Sequence, residues 1–241
     1  MSMPGPLQVS VLATAALMIG CAAPDGNSEP TPTMRGTVSA EAGAPVAEAP
    51  VVLFLGTSLT AGFGLDPDDA YPALIEQKIR DAGLPHRVVN AGVSGESSAG
   101  ALRRLDWLLR QPFDVLVLET GANDMLRGAD PDETRRNIRA IVERVRTERT
   151  DARIVLAGMM AMPNLGEAYV RRFQSIYPEI AREEGLPLVP FLLEGVAAET
   201  ALNLPDGVHP NERGQARVAE TVWRTLEPVL RDSPTAVPPR L

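Results

Sequence analysis

The chain has 241 residues, 44% of them hydrophobic, and a formal net charge of −8 from 31 acidic and 23 basic residues. This acidic balance argues against nucleic acid as a partner, because phosphate binding needs a basic surface. With one cysteine and two histidines, an intrachain disulfide and a cysteine- or histidine-rich metal cluster are excluded.

The first 21 residues predict an export signal. Val9–Gly20 is an apolar run too short to span a bilayer but of the right length for a signal-peptide core. It ends at Cys21 and resembles a bacterial lipoprotein signal, although no basic residue precedes it and Met18 replaces the usual leucine. An ordinary secretory signal with an incidental cysteine and a misassigned start codon are the alternatives. We expect an exported protein, either periplasmic or attached to a membrane through lipidated Cys21.

Two further segments lack the composition of a folded domain. Residues 22–50 are rich in Pro, Ala, Gly, Glu, Ser and Thr, which predicts a disordered linker, and residues 232–241 predict a short disordered tail. Residues 51–231 remain for one domain of ordinary size.

Strands and helices alternate through this domain. The predicted strands are Val51–Leu55, His86–Asn90, Val115–Glu119, Arg153–Ala157 and Leu188–Pro190. The predicted helices are Tyr71–Ala82, Ala99–Arg110, Pro131 to about Arg149, Glu167–Glu184 and Asn211–Leu230. This alternation predicts a parallel sheet between two layers of helices.

Short polar motifs follow the first three strands. They are Gly56–Leu59, Asn90–Gly92 and Gly121–Asp124, and a fourth motif, Asp206–His209, precedes the last helix. Because the carboxyl ends of parallel strands form the edge where ligand sites gather, we expect these motifs to converge. They carry the groups that an acyl-transfer site needs.

Ser58 is the candidate nucleophile, and His209 is its candidate base. A serine after a strand more often caps a helix, but a neighbouring base would activate it. His86 lies at the start of the second strand, remote from the other motifs, so elimination favours His209. Asp206, three residues earlier, can fix the imidazole tautomer. A turn aspartate with a surface histidine is the alternative for this spacing.

Two further residues are candidates for an oxyanion hole. The backbone N–H of Gly92 and the side-chain amide of Asn123 can each donate to a developing negative charge. The alternatives are an ordinary turn glycine and a capping asparagine. Ser94, Ser97 and Ser98 are competing hydroxyls near Gly92, and we expect them to cap the following helix.

With these four blocks in order, the chain resembles the SGNH (GDSL) hydrolase family, in its arylesterase and thioesterase I/lysophospholipase branch, from about Val51 to Leu230. The resemblance implies a flavodoxin-like three-layer α/β/α sandwich with a five-stranded parallel sheet that hydrolyses esters and thioesters without metal or cofactor. It implies that Ser58 is the nucleophile, His209 the base and Asp206 its orienting partner. The oxyanion hole would comprise the N–H groups of Ser58 and Gly92 and the amide of Asn123.

The resemblance also implies a substrate pocket. In this branch the loop around Ala161–Glu167 lines the acyl pocket, so Met162, Pro163 and Leu165 are predicted substrate-binding residues. Thr57 and Leu59, which flank the nucleophile, are predicted to join them. Thr57 stands where the family motif usually has Asp, and we expect its hydroxyl to hold the loop by hydrogen bonding.

The resulting expectation is a serine esterase acting on small-molecule aryl or alkyl esters of short to medium acyl chain, and on thioesters, through an acyl-enzyme. A lysophospholipase or a carbohydrate acetylesterase on the same triad is the alternative within enzymes. A non-catalytic acyl-binding lipoprotein is the alternative from another class.

Overall fold

The structure is a computed structural model that describes residues 49–232. The predictions for residues 1–21, for the linker up to residue 48, for the tail from residue 233 and for lipidation of Cys21 lie outside the described residues. The strands are β1 Val51–Gly56, β2 Arg87–Gly92, β3 Val115–Glu119, β4 Arg153–Ala157 and β5 Leu188–Val189. The α-helices are α1 Ser58–Ala61, α2 Tyr71–Asp81, α3 Ser98–Leu109, α4 Ala122–Leu126, α5 Pro131–Glu148, α6 Glu167–Gln174, α7 Ile176–Glu184 and α8 Glu212–Arg231.

All five strands run parallel in the order β2-β1-β3-β4-β5. Val51 pairs with Arg87 at one end of β1 and Gly56 with Gly92 at the other. Every residue of β1 and β3 is buried, as expected for strands covered on both faces. The chain order reverses between β1 and β3, and this switch point is where ligands bind in open parallel sheets.

Helices cover both faces of the sheet. On one side α2 packs against α8, and among the other helices α5 packs against α3, α6 and α7. Buried side chains from β1, β3, β4, β5 and these helices form one continuous apolar core, against which the half-buried Val88 and Val89 of β2 pack. The predicted three-layer α/β/α sandwich is therefore confirmed. Within residues 49–232 no helix has both the length and the apolar character needed to cross a membrane.

The largest departure from the predicted elements is the segment 167–184. One continuous helix was expected, but α6 ends at Gln174 and α7 begins at Ile176. Pro178 explains the break, because it has no N–H to donate to the carbonyl of Gln174 and is favoured in the first turn of a helix, where it lies in α7. Strands β3 and β4 have the predicted bounds, and the other predicted helices and strands differ from the observed bounds by one or two residues at their ends.

Because every strand points the same way, their carboxyl ends lie along one edge of the sheet. β1 leads there to Thr57 and Ser58, β2 ends at Gly92, and β3 leads to Asn123. The segment after β4 brings methionines to the same edge. The fold therefore concentrates the sequence-predicted motifs in one place.

Candidate active site

Ser58, His209 and Asp206 form a hydrogen-bonded chain. The Oγ of Ser58 lies 3.0 Å from Nε2 of His209, although the two residues are 151 positions apart. Nδ1 of the same imidazole lies 2.7 Å from Oδ2 of Asp206. In the tautomer whose Nδ1–H donates to the carboxylate, Nε2 is free to accept the Ser58 proton. The arrangement is that of a nucleophile, a general base and an orienting acid.

Local hydrogen bonds fix Asp206 in its role. Its Oδ1 accepts the backbone N–H groups of Val208 at 2.9 Å and His209 at 3.0 Å, while Oδ2 faces the imidazole. The N–H donors of His209 and Val208 lower the pKa of the Asp206 carboxyl to about 2, and the imidazole contributes to the same shift. The carboxylate is therefore ionised whenever the site is tested near neutral pH.

The segment that carries His209 is held at both ends. The carbonyl of His209 accepts the N–H of Leu204 at 2.7 Å, which closes a turn around Gly207. Asn211 then caps α8, because its Oδ1 accepts the N–H of Gly214 at 3.0 Å. The ring of Phe63 packs on the imidazole with its centroid 4.4 Å away. These contacts restrict the imidazole to an orientation that faces Ser58.

Ser58 is the first residue of α1, and Thr57 is its N-cap. The Ser58 side chain is only 8% exposed, so it meets solvent solely through the cleft. As the first helical residue, Ser58 has a backbone N–H with no acceptor inside the helix. The turn from β1 into α1 therefore presents a hydroxyl and a free donor together.

A buried carboxyl group that the sequence analysis did not select lies behind this turn. Glu119, at the end of β3, is fully buried and accepts the Thr57 N–H at 2.7 Å. Its oxygens also accept the hydroxyl of Thr57 at 2.9–3.0 Å and that of Thr60 at 2.9 Å. Burial raises the pKa of the Glu119 carboxyl, and the hydrogen bonds from Thr57 and Thr60 oppose that shift.

The signal for Glu119 in the sequence is weak. It is one acidic residue closing an apolar run, which is also the pattern of a strand that ends in solvent. Only the three-dimensional pairing of β1 with β3 places it beneath the nucleophile turn.

The candidate oxyanion donors differ in whether an N–H group remains without an acceptor in the protein. Nδ2 of Asn123 donates one proton to the carbonyl of Glu96 at 3.0 Å, which leaves its second proton for a ligand. The N–H of Gly92, by contrast, donates to Oδ1 of Asn90 at 2.9 Å, which differs from the expectation that it is free. The side chain of an asparagine readily reaches the backbone two residues ahead, and Asn90 also donates to the carbonyl of Thr60.

Gly92 nevertheless has a strict packing requirement. A Cβ at this position would lie 2.3 Å from the backbone nitrogen of Ala61, so only glycine lets β2 approach α1 this closely. The donors with capacity for an oxyanion are thus the Ser58 N–H and the Asn123 amide.

Of the three competing serines, Ser97 caps α3 and Ser98 is the first residue of this helix. Oγ of Ser97 accepts the N–H of Gly100 at 3.3 Å and caps the helix. Ser98 is buried, and its hydroxyl donates to Asp124 at 2.6 Å. This bond ties α3 to the segment that carries Asn123.

An apolar cleft of about 390 Å³ opens beside Ser58 and His209, a volume within the range of small-molecule sites. Leu59, Met162 and Pro163, three of the predicted substrate-binding residues, line it. Further apolar side chains line the cleft, namely Ala122, Met125, Leu126, Met159, Met160, Ala161, Phe191 and Leu193. Its mouth is marked by the exposed side chains of Leu126, Met160 and Met162.

Two predicted substrate-binding residues lie elsewhere. The side chain of Thr57 is 1% exposed and points to Glu119, because its hydroxyl has a buried acceptor there. Leu165 packs against the apolar core outside the cleft lining. Both assignments are corrected: Thr57 supports the nucleophile turn, and Leu165 supports the loop that carries Met162 and Pro163.

His86, the second histidine, lies away from the catalytic residues. His86 is buried at the start of the sheet and has no hydrogen-bond partner for either ring nitrogen, so it is separate from the catalytic edge. Across residues 49–232, no three His, Cys, Asp or Glu side chains converge as metal ligands would.

Comparisons with known proteins identify the family of the chain. Residues 54–217 match the model of the GDSL-like lipase/acylhydrolase family. Esterase TesA of Pseudomonas aeruginosa is 40% identical over 185 residues, which cover 76% of this chain and 91% of that protein. Thioesterase 1/protease 1/lysophospholipase L1 of Escherichia coli is 37% identical over 186 residues, covering 76% and 86% of the two chains. A crystal structure of TesA superposes with a TM-score of 0.71 at 38% identity, covering 74% of this chain and 99% of that one. The chain belongs to the GDSL-like lipase/acylhydrolase family, as its resemblance to the SGNH hydrolases predicted.

Proposed function

We propose that the protein is a serine esterase that hydrolyses short- to medium-chain carboxylic esters, and thioesters, through an acyl-enzyme on Ser58. The observation that carries this proposal is the hydrogen-bonded chain from Ser58 through His209 to Asp206. The esterase and thioesterase names of the similar proteins support the same reaction class.

Acylation starts when the Ser58 oxygen attacks the substrate carbonyl carbon and its proton passes to Nε2 of His209. The Ser58 N–H and the Asn123 amide stabilise the negative oxygen of the tetrahedral intermediate. Asp206 stabilises the imidazolium that has formed. As the intermediate collapses, the bond to the leaving alcohol or thiol breaks, and His209 returns the proton to it.

Deacylation repeats these steps with water. His209 takes a proton from the water molecule that attacks the acyl carbon, and the same donors stabilise the second intermediate. Collapse releases the carboxylic acid and returns the proton to the Ser58 oxygen. No redox group or metal is required, because every proton and electron pair is accounted for by the triad, the ester and water.

The cleft supports the choice of acyl chain. Its walls are methionine, leucine, alanine, proline and phenylalanine side chains, which favour burial of an alkyl chain by about 0.8 kcal/mol per methylene. Met160 and Met162 line the cleft and are also exposed to solvent, so a longer chain can contact them at the surface. The cleft therefore favours binding of an apolar acyl group over binding of a sugar.

The test is covalent labelling. We expect a fluorophosphonate probe to add a single group to the wild-type protein, at Ser58, and to block hydrolysis of p-nitrophenyl butyrate. Ser58→Ala should abolish both labelling and hydrolysis, a loss of several orders of magnitude. Ser94→Ala is the matched control, because Ser94 is exposed and outside the triad. Activity that survives in Ser58→Ala would refute the proposal.

We also propose that the protein is exported and held at a membrane by a lipid on Cys21. The apolar run before this cysteine supports the proposal. Intact mass of the protein from membranes should show a truncated, acylated chain that begins at Cys21. Cys21→Ser should release the enzyme from the membrane fraction, and an unmodified N-terminus in the wild type would overturn the proposal.

A further inference from the structure

A network of buried polar groups lies directly behind the nucleophile turn. Its members are Thr57, Thr60, Tyr71, Glu119 and Gln215, none more than 1% exposed. Buried polar groups in a protein are retained at a cost unless their hydrogen bonds are satisfied. Five of them in one cluster, next to Ser58, therefore call for a functional explanation.

The network converges on one carboxyl group. Glu119 accepts three donors, the N–H and hydroxyl of Thr57 and the hydroxyl of Thr60. The Tyr71 hydroxyl lies 2.8 Å from that of Thr60 and can donate to it. With an ionised Glu119, each of these four protons has an acceptor. The carboxyl oxygens are thus the common endpoint of the hydrogen bonds from Thr57, Thr60 and Tyr71.

The residues that Glu119 holds are on either side of Ser58. Thr57 precedes the nucleophile and caps α1, and Thr60 lies within α1. Gly56 allows this contact, because a Cβ there would lie 1.9 Å from the Thr60 oxygen and 2.7 Å from Glu119. The carboxyl group therefore fixes both ends of the short turn from which Ser58 projects.

The same cluster reaches the elements that supply the other catalytic groups. Glu119 ends the strand whose continuation carries Asn123. Gln215 of α8 accepts the Tyr71 N–H at 2.9 Å and donates to the carbonyl of Leu59 at 3.3 Å. Since α8 follows directly on the loop that carries His209, the network connects the nucleophile, the oxyanion donor and the base.

We propose that Glu119 is a positioning residue of the active site, whose carboxyl group, acting through Thr57 and Thr60, holds Ser58 at the distance from His209 that proton transfer requires. It touches neither the substrate nor the reacting atoms. The inference rests on the proposed esterase function. It adds a residue that the motif around Ser58 does not include.

The test compares Glu119→Leu with Glu119→Gln. Leucine removes all three acceptor contacts and should lower kcat at least 100-fold, with KM for p-nitrophenyl butyrate changed less than threefold, because the cleft is untouched. The rate of fluorophosphonate labelling at Ser58 should fall in parallel. Glutamine keeps one acceptor oxygen and the shape of the side chain, so it should restore activity to within about tenfold of wild type.

Leu116→Ala is the control for a merely structural role. Leu116 is fully buried on the same strand, and its truncation lowers thermal stability without touching the network. Its kcat and labelling rate should match those of the wild type. If Glu119→Leu folds and keeps the wild-type kcat and labelling rate, or if Leu116→Ala loses as much activity as Glu119→Leu does, the inference is wrong.

A second pair of variants applies if Glu119→Leu does not fold. Thr60→Val removes one donor with little change of shape and should lower kcat about tenfold, while Thr60→Ser should restore it. Equal kcat values for these two variants and the wild type overturn the inference. Failure of the esterase proposal is distinct, because then the wild-type protein itself would not be labelled at Ser58.

Discussion

Replacing Asp206 by Asn tests the orienting role of the carboxylate with little change in shape. The remaining oxygen can still accept the backbone N–H groups of Val208 and His209, so the turn is kept. The new NH₂ group takes the place of Oδ2, 2.7 Å from Nδ1. Nδ1 must then accept a hydrogen bond from this NH₂ group, so the ring proton of His209 lies on Nε2. In that tautomer the imidazole cannot accept the proton of Ser58.

The size of the effect follows from how enclosed the pair is. In an enclosed triad the same substitution lowers kcat by about 10⁴. Here the Asp206 side chain is 39% exposed and that of His209 20%, so water can stabilise the active tautomer in part. We expect a loss of about 10²–10³ in kcat. KM should be nearly unchanged, because Asp206 does not line the acyl cleft.

The assay is steady-state hydrolysis of p-nitrophenyl butyrate at neutral pH, with Asp151→Asn as a control at an exposed turn outside the site. Since the pKa of Asp206 is about 2, the wild-type carboxylate is charged throughout the assay range. A folded Asp206→Asn enzyme within threefold of the wild-type kcat would refute the assigned role of the carboxylate.

Three further results are expected. Asn123→Ala should lower kcat by about 10²–10³ with little change in KM, because the amide acts on the oxyanion, and a loss confined to KM would contradict this. Met162→Asp should raise the KM for a decanoyl ester about tenfold and leave the KM for an acetyl ester within twofold of wild type, since each buried methylene contributes about 0.8 kcal/mol. Trp107 is exposed outside the cleft, so Trp107→Asp should change neither KM value. The third result concerns His86, whose pKa is lowered below 6.5 by burial, although the charge of Asp114 opposes this shift. Below pH 6.5 the unfolded chain therefore takes up a proton that the folded protein does not, and this lowers the stability of the wild type. Chemical denaturation of His86→Phe should therefore show a stability advantage over wild type that grows from pH 7 to pH 5, and parallel pH curves would disprove it.

The strands of the sheet could be predicted from the sequence, because their composition differs from that of the flanking segments. The apolar runs at Val51 and Val115 are short, rich in valine and leucine, and bounded by polar turns, which is the pattern of strands buried on both faces. The helix break at Ser175 was missed because Pro178 lies within an otherwise helical periodicity. A proline in such a pattern ends or kinks the helix before it, and the periodicity alone does not show this.

Some residues of the active site could likewise be predicted from the sequence, and others could not. His209 could be selected because the chain has only two histidines, and Ser58 and Asp206 because the ordered blocks that carry them resemble a known family. Glu119 could not, since its role depends on a contact with residues about 60 positions away. The engaged N–H of Gly92 was also unpredictable, because it depends on the rotamer of Asn90.

The distance in sequence between Ser58 and His209 has a consequence for the synthesis and processing of the chain. The hydroxyl emerges from the ribosome with the first strand, whereas the imidazole arrives after the fifth. A nascent chain that has just completed β5 therefore holds the whole sheet and the acyl-binding methionines but has no base. Carboxy-terminal trimming into the Asp206–His209 turn would remove the base together with α8, although the sequence of all five strands would remain.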